Sequence, residues 1–125
     1  MSVKITTELL GDHFALTSVD AQRDVTASWI RGGDGFAGFG IWKSTTVSGS
    51  KRFTQGREWW REQLSAFEIH NNVHGSGTGP ILFTSFSFDE NELSHLVIPE
   101  VVVVKKGDKS WITWVGDQPQ PQLTK

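Results

Sequence analysis

Cysteine is absent from this chain of 125 residues. Without a thiol there is no Cys nucleophile, no zinc knuckle, no iron–sulfur ligand set, and none of the disulfide framework that marks an oxidising compartment. Long hydrophobic runs are absent too. The longest, Leu96 to Val104, is interrupted by Pro99 and Glu100 and falls far short of the ~20 apolar residues of a membrane-spanning helix. Nor does one charge dominate. Twelve Lys and Arg stand against 14 Asp and Glu, a formal charge of −2, so the basic footprint of a nucleic-acid binder is missing. The stretch Met1 to Leu10 has one Lys and no apolar segment, which is not the pattern of a secretory signal. Together these absences lead us to expect a cytoplasmic protein that contacts neither nucleic acid nor membrane.

What remains is sufficient for a core. Hydrophobic residues make up 37% of the chain and charged residues 21%, the balance of a folded globular domain rather than a disordered one. At this length a single domain buries roughly two-thirds of its unfolded surface, so no metal or disulfide staple is needed.

Turn residues divide the chain into elements. His13 to Val19 is rich in β-formers and bounded by Gly11-Asp12 and Asp20, which predicts a first strand. Trp29-Ile30-Arg31 and Phe36 to Trp42 flank Gly32-Gly33-Asp34-Gly35, a glycine density that suits the positive φ angles of a hairpin turn. Ser44 to Ser50 reads as a polar loop. Between Lys51 and Ile69, Phe53, Trp60, Leu64 and Phe67 recur at steps of seven, four and three, the spacing of an amphipathic helix. Trp59 widens that stripe, and Arg57, Glu58, Arg61 and Glu62 form its solvated side. After a loop from Asn71 to Pro80, strands are expected over Ile81 to Phe88, Leu96 to Val104 and Ser110 to Val115, the last two joined at Lys106-Gly107-Asp108. This order predicts an α+β fold, a mainly antiparallel sheet with one principal amphipathic helix on one face. The domain is expected over residues 1–115. Residues 116–125, with Pro119 and Pro121 and no apolar period, read as a linker or tail.

Chemical motifs are few. Gly33-Asp34-Gly35-Phe36-Ala37-Gly38 spells the dinucleotide-binding fingerprint, but a strand follows it where that function needs a helix. Gly75-Ser76-Gly77-Thr78-Gly79-Pro80 lacks the Gly-Lys-Ser/Thr ending of a phosphate-binding loop. His70 and His74 have helical metal-ligand spacing, yet Asn71-Asn72 and Gly75 break the helix there and no carboxylate joins them. Ser85, Ser87 and Ser94 lie near Asp89 and His95 without a nucleophile elbow. Trp29, Trp42, Trp60 and Trp111 fall where core packing accounts for them. We therefore expect no catalytic, cofactor-binding or metal-binding residue in this chain.

Two segments are more specific. Gly79-Pro80-Ile81-Leu82-Phe83-Thr84-Ser85-Phe86-Ser87-Phe88-Asp89, followed by Leu96-Val97-Ile98-Pro99-Glu100, resembles the G-P-x-x-x-x-S-F-x-F-D and L-x-I-P stretch in the N-terminal part of isochorismate synthases. Those enzymes belong to the chorismate-utilising family, with the anthranilate, aminodeoxychorismate and salicylate synthases. Trp29-Ile30-Arg31, Gly35 to Gly40, Arg52-Phe53 and Trp59-Trp60 resemble the same region of the menaquinone-type or siderophore-type enzymes. The resemblance runs from Trp29 to Trp114.

It implies a longer, Mg2+-dependent parent that converts chorismate to isochorismate, with its base, acid and metal ligands in a chorismate-binding region of the same polypeptide. Lys105 and Lys106 precede a turn and do not match the family's catalytic base. Leu9-Leu10-Gly11-Asp12 lacks the Glu and Ser of the Leu-Leu-Glu-Ser motif in tryptophan-regulated anthranilate synthases, which favours isochorismate synthase. The chain is then expected to be a non-catalytic N-terminal fragment. Four consecutive valines, Val101 to Val104, suggest a strand covered on both faces. Phe86, Phe88, Val101 and Val103 are the expected interdomain face, left exposed in the isolated chain and drawing it into a homodimer. The alternative is a free-standing module that binds a small ligand or a protein.

Overall fold

The computed structural model describes residues 3–10, 25–32, 34–73, 78–85, 89 and 91–121. In chain order these form β1 (Val3–Leu9), β2 (Val25–Arg31), β3 (Asp34–Phe39), β4 (Lys43–Val47), helix α1 (Arg52–Ser65), β5 (Phe67–Asn71), β6 (Phe83–Ser85), β7 (Ser94–Ile98), β8 (Val101–Lys106) and β9 (Lys109–Val115). Six strands make one sheet, in the order β2-β3-β8-β9-β1-β5, and three make a second, β4-β7-β6. Apart from the parallel pair β1 and β5, the described pairings are antiparallel. The chain is thus α+β with a single helix among the described residues.

Both glycine-rich reversals form as read. The turn between β2 and β3 uses Gly32 at φ 63°, and that between β8 and β9 uses Gly107 at φ 64°, a left-handed backbone that suits glycine. Asp34 ties the two together by accepting a hydrogen bond from the Gly107 N–H at 3.1 Å.

The long strand expected from Leu96 to Val104 with an interruption at Pro99 is two strands, β7 and β8, in two sheets. Lys43 of β4 lies opposite Ile98 of β7, while Phe39 of β3 lies opposite Val101 of β8. Two neighbouring chain segments therefore leave the large sheet side by side. Gly40 makes one bend at φ 68°. Pro99 makes the other, having no N–H to continue a ladder. The Trp42 N–H donates to the Ile98 carbonyl at 2.8 Å and the Glu100 N–H to the Phe39 carbonyl at 3.1 Å, so this corner keeps its backbone groups paired.

The helix stops at Ser65, short of the expected Ile69. Phe67 and Ile69 alternate with Glu68 and His70, a two-residue period that β1 captures by parallel pairing from Val3↔Phe67 to Thr7↔Asn71. β1 itself was not expected, although Val3, Ile5 and Leu9 alternate with Lys4, Thr6 and Glu8. β4 replaces the expected polar loop, its Thr45, Thr46 and Val47 being β-branched residues that pair with β7. The strand expected over His13 to Val19 lies outside the described residues.

Two apolar clusters form the core. Ala37, Phe39, Val101, Val103, Ile112 and Trp114 fill one face of the large sheet. Ile5, Phe67 and Ile98 centre the other cluster, with Trp59, Trp60 and Leu64 of α1 packed against it. The helix covers it with only part of the expected stripe: Phe53 is 55% exposed, and the most buried helical positions are Gly56 and Gln63. Gln63 reaches Lys43, whose Nζ donates to its Oε1 at 3.1 Å.

Candidate functional site

The residues that carry the resemblance converge on the sheet corner. Leu96 and Ile98 are 1% and 2% exposed, Pro99 is buried, and Phe83 stacks on Phe36 with ring centroids 5.2 Å apart. Gly38 sits beneath Phe83 and Pro99, where a Cβ would overlap the phenylalanine ring. The contacts of Phe83 and Pro99 with Gly38 thus lie between the two sheets.

Two of the four residues of the expected interdomain face are buried rather than exposed. Val101 and Val103 are 7% and 0% exposed and belong to the core cluster with Phe39 and Trp114. Val102 on the opposite face is also buried, next to Gly38 and Thr113 in the register. At Val101 to Val103 both faces of β8 are therefore buried within this chain. Phe86 and Phe88 lie outside the described residues.

Residues considered for chemistry stay apart. His70 is on β5, exposed, with Nε2 3.3 Å from Glu68, and His74 lies outside the described residues. Ser85 faces His95 across the β6–β7 ladder, both exposed, while Ser94 is buried on the other face of β7. The fingerprint-like glycines run into β3 rather than a helix, so they serve a hairpin. Among the tryptophans, Trp42 and Trp60 border the second core cluster and Trp111 is 4% exposed. Its Nε1 is buried without a hydrogen-bond partner. Trp29 lies on β2 opposite Phe36. Among the described residues, no three His, Asp or Glu side chains come together as a metal site. The described residues thus offer no carboxylate cluster of the kind that holds Mg2+. No described helix is long and apolar enough to cross a membrane.

One concavity was not legible in the sequence. A cleft of about 190 Å3 lies between the N-terminal half of α1, which contributes Phe53, Gly56, Arg57 and Trp60, and the small sheet, which contributes Leu82, Thr84 and Leu96. Its lining is almost wholly apolar and it opens to solvent. Gly56 is buried and lines the cleft without a side chain, although glycine inside a helix costs about 1 kcal/mol relative to alanine. The electrostatics are one-sided. The first helical turn has no acidic residue, and Lys51 at the N-cap makes no side-chain cap, so the positive end of the helix dipole is not offset there. Arg52 is engaged with the Gly49 carbonyl and the Phe53 ring.

Comparison with known proteins places the chain at family level. The model of a family described as chorismate binding enzyme matches residues 14–117. No curated protein and no solved structure matches it.

Proposed function

Since this chain belongs to the chorismate binding enzyme family, we propose that it is the N-terminal, non-catalytic unit of an isochorismate synthase. The observation that carries this reading is the place of the motif residues. Phe83 and Pro99, which carry part of the resemblance, close on Gly38 at the sheet corner, and Leu96 and Ile98 of the same motif are buried on β7. They act as a folding motif. The chemistry of the whole enzyme, which with Mg2+ adds water at one ring carbon of a dicarboxylate and expels hydroxide from another, calls for clustered acids, bases and metal ligands, and these belong to a chorismate-binding region of the same polypeptide. Lys105 and Lys106 are not that region's base, for they end β8 at the turn into β9. The string Leu9-Leu10-Gly11-Asp12 favours isochorismate synthase over the tryptophan-regulated relatives, and the product would serve menaquinone or siderophore synthesis.

The test is an isochorismate assay with chorismate and Mg2+ on the 125-residue chain. No turnover is expected from it alone, and turnover is expected once a chorismate-binding region is fused after it. Activity of the chain alone that a substitution within it abolishes would refute the reading. The apolar cleft favours a second reading, a free-standing ligand-binding module. The gene separates the two: a reading frame that continues into a chorismate-binding region supports the first, and a stop after Lys125 supports the second.

A further inference from the structure

We infer that the cleft between α1 and the small sheet is a binding site for a small single-ring carboxylate. Three observations converge on it, and none depends on the proposed function.

The first is size. At about 190 Å3 the cleft is smaller than the roughly 300–1,000 Å3 of sites for drug-sized ligands. It exceeds the engineered apolar cavity of about 150 Å3 that binds benzene. One six-membered ring with a short substituent fits those bounds.

The second is the wall chemistry. Phe53 and Trp60 of the helix and Leu82 and Leu96 of the sheet side supply apolar and aromatic surface, with Gly56 lining the helix side. A flat ring makes more dispersion contact in such a slot than an extended polar molecule does.

The third is charge. Arg57 lines the cleft yet is an exposed residue. Long cationic side chains at an apolar wall lay the aliphatic stem along it and keep the charged head in water, which suits an exposed arginine on an apolar lining. None of the described ion pairs or hydrogen bonds engages it. The uncapped, acid-free first turn of α1 adds positive potential on the same side. A planar guanidinium matches a carboxylate through paired N–H donors. A ring in the slot with its carboxylate at the mouth satisfies both halves of the site.

The test is a titration of the isotope-labelled full chain with benzoate, and in parallel with benzyl alcohol, a neutral molecule of the same ring. Benzoate is expected to shift the Trp60 indole and Gly56 amide resonances saturably below about 10 mM. It should bind about three- to fivefold more tightly than benzyl alcohol, the range that an exposed charge pair supplies. Arg57→Gln should abolish that preference. Arg61→Gln, one turn further along the helix and outside the cleft, should leave it intact. Raising the salt to about 1 M should also abolish the preference, since the screening length falls to about 3 Å. Arg57 and Arg61 are both exposed, so neither variant should disturb folding, which circular dichroism checks directly. Shifts that stay linear and scattered over the surface, or a preference that survives Arg57→Gln, would overturn the assignment. Neither result would touch the isochorismate assay, which reads a different property.

Discussion

Gly38 faces the Phe83 ring so closely that a Cβ at Gly38 would overlap it and stand 3.3 Å from the Pro99 Cβ. The two sheets meet here, so the absent side chain sets how near they approach. Gly38→Ala should therefore force the ring or the corner to move and cost about 1–3 kcal/mol, the range for overpacking. Phe83→Leu in the same chain should recover part of that loss, because the two sites share one contact. Urea denaturation of the two single variants and the double variant measures the coupling. Strict additivity would show that the corner tolerates the extra carbon by other means.

Thr7 and Thr113 form a buried hydroxyl pair 2.7 Å apart between β1 and β9. Thr7→Val should leave the Thr113 hydroxyl buried without its partner, at a cost of about 1–3 kcal/mol. Replacing both with valine removes the need for the bond. The double variant should thus be more stable than either single one, which thermal melting of the four proteins would reveal.

Phe67 and Phe53 belong to one expected apolar stripe but occupy opposite environments. Phe67 is 9% exposed, with its ring centroid 5.3 Å from that of Trp42 and 6.4 Å from that of Trp60. Phe67→Ala should cost about 3–5 kcal/mol. Phe53, at 55% exposed, should lose no more than about 1 kcal/mol, and Glu62→Ala on the solvated side should stay within about 0.5 kcal/mol. Denaturant midpoints for the three variants would show the order, and equal losses at Phe67 and Phe53 would contradict the helix placement.

Trp111 and Trp114 on β9 are both 4% exposed, yet only one indole is satisfied. Trp114 Nε1 donates to the Gln118 carbonyl at 2.9 Å, whereas Trp111 Nε1 has no acceptor. Replacing either with phenylalanine loses volume, but at Trp111 it also removes an unsatisfied donor. Trp111→Phe is expected to be the milder change by about 1 kcal/mol. Chemical denaturation monitored by circular dichroism, which does not depend on the altered fluorophore, compares them.

Local signals made much of the fold legible. The Gly32 and Gly107 turns, the alternating strands beside them and the solvated side of α1 depend on residues within a few positions of one another. Backbone sterics and side-chain period act at that range. The valine run also signalled a strand buried on both faces. The residues that bury Val101 and Val103 come from elements distant in sequence, Phe39 and Trp114 among them. The same distance hid β5, where Phe67 continues the helical spacing as well as the strand alternation. Pairing with β1 near the start of the chain settled which period holds.

The amino-acid sequence by itself determined the turns, the helix, the strand-forming segments and, through the corner motif, the family. Tertiary structure decided how Leu96 to Val104 divides between two sheets and that Arg57 lines one cleft with Leu82 and Leu96. Turn chemistry and hydrophobic period are properties of neighbouring residues, whereas a cleft exists only where surfaces from separate segments fail to close on one another.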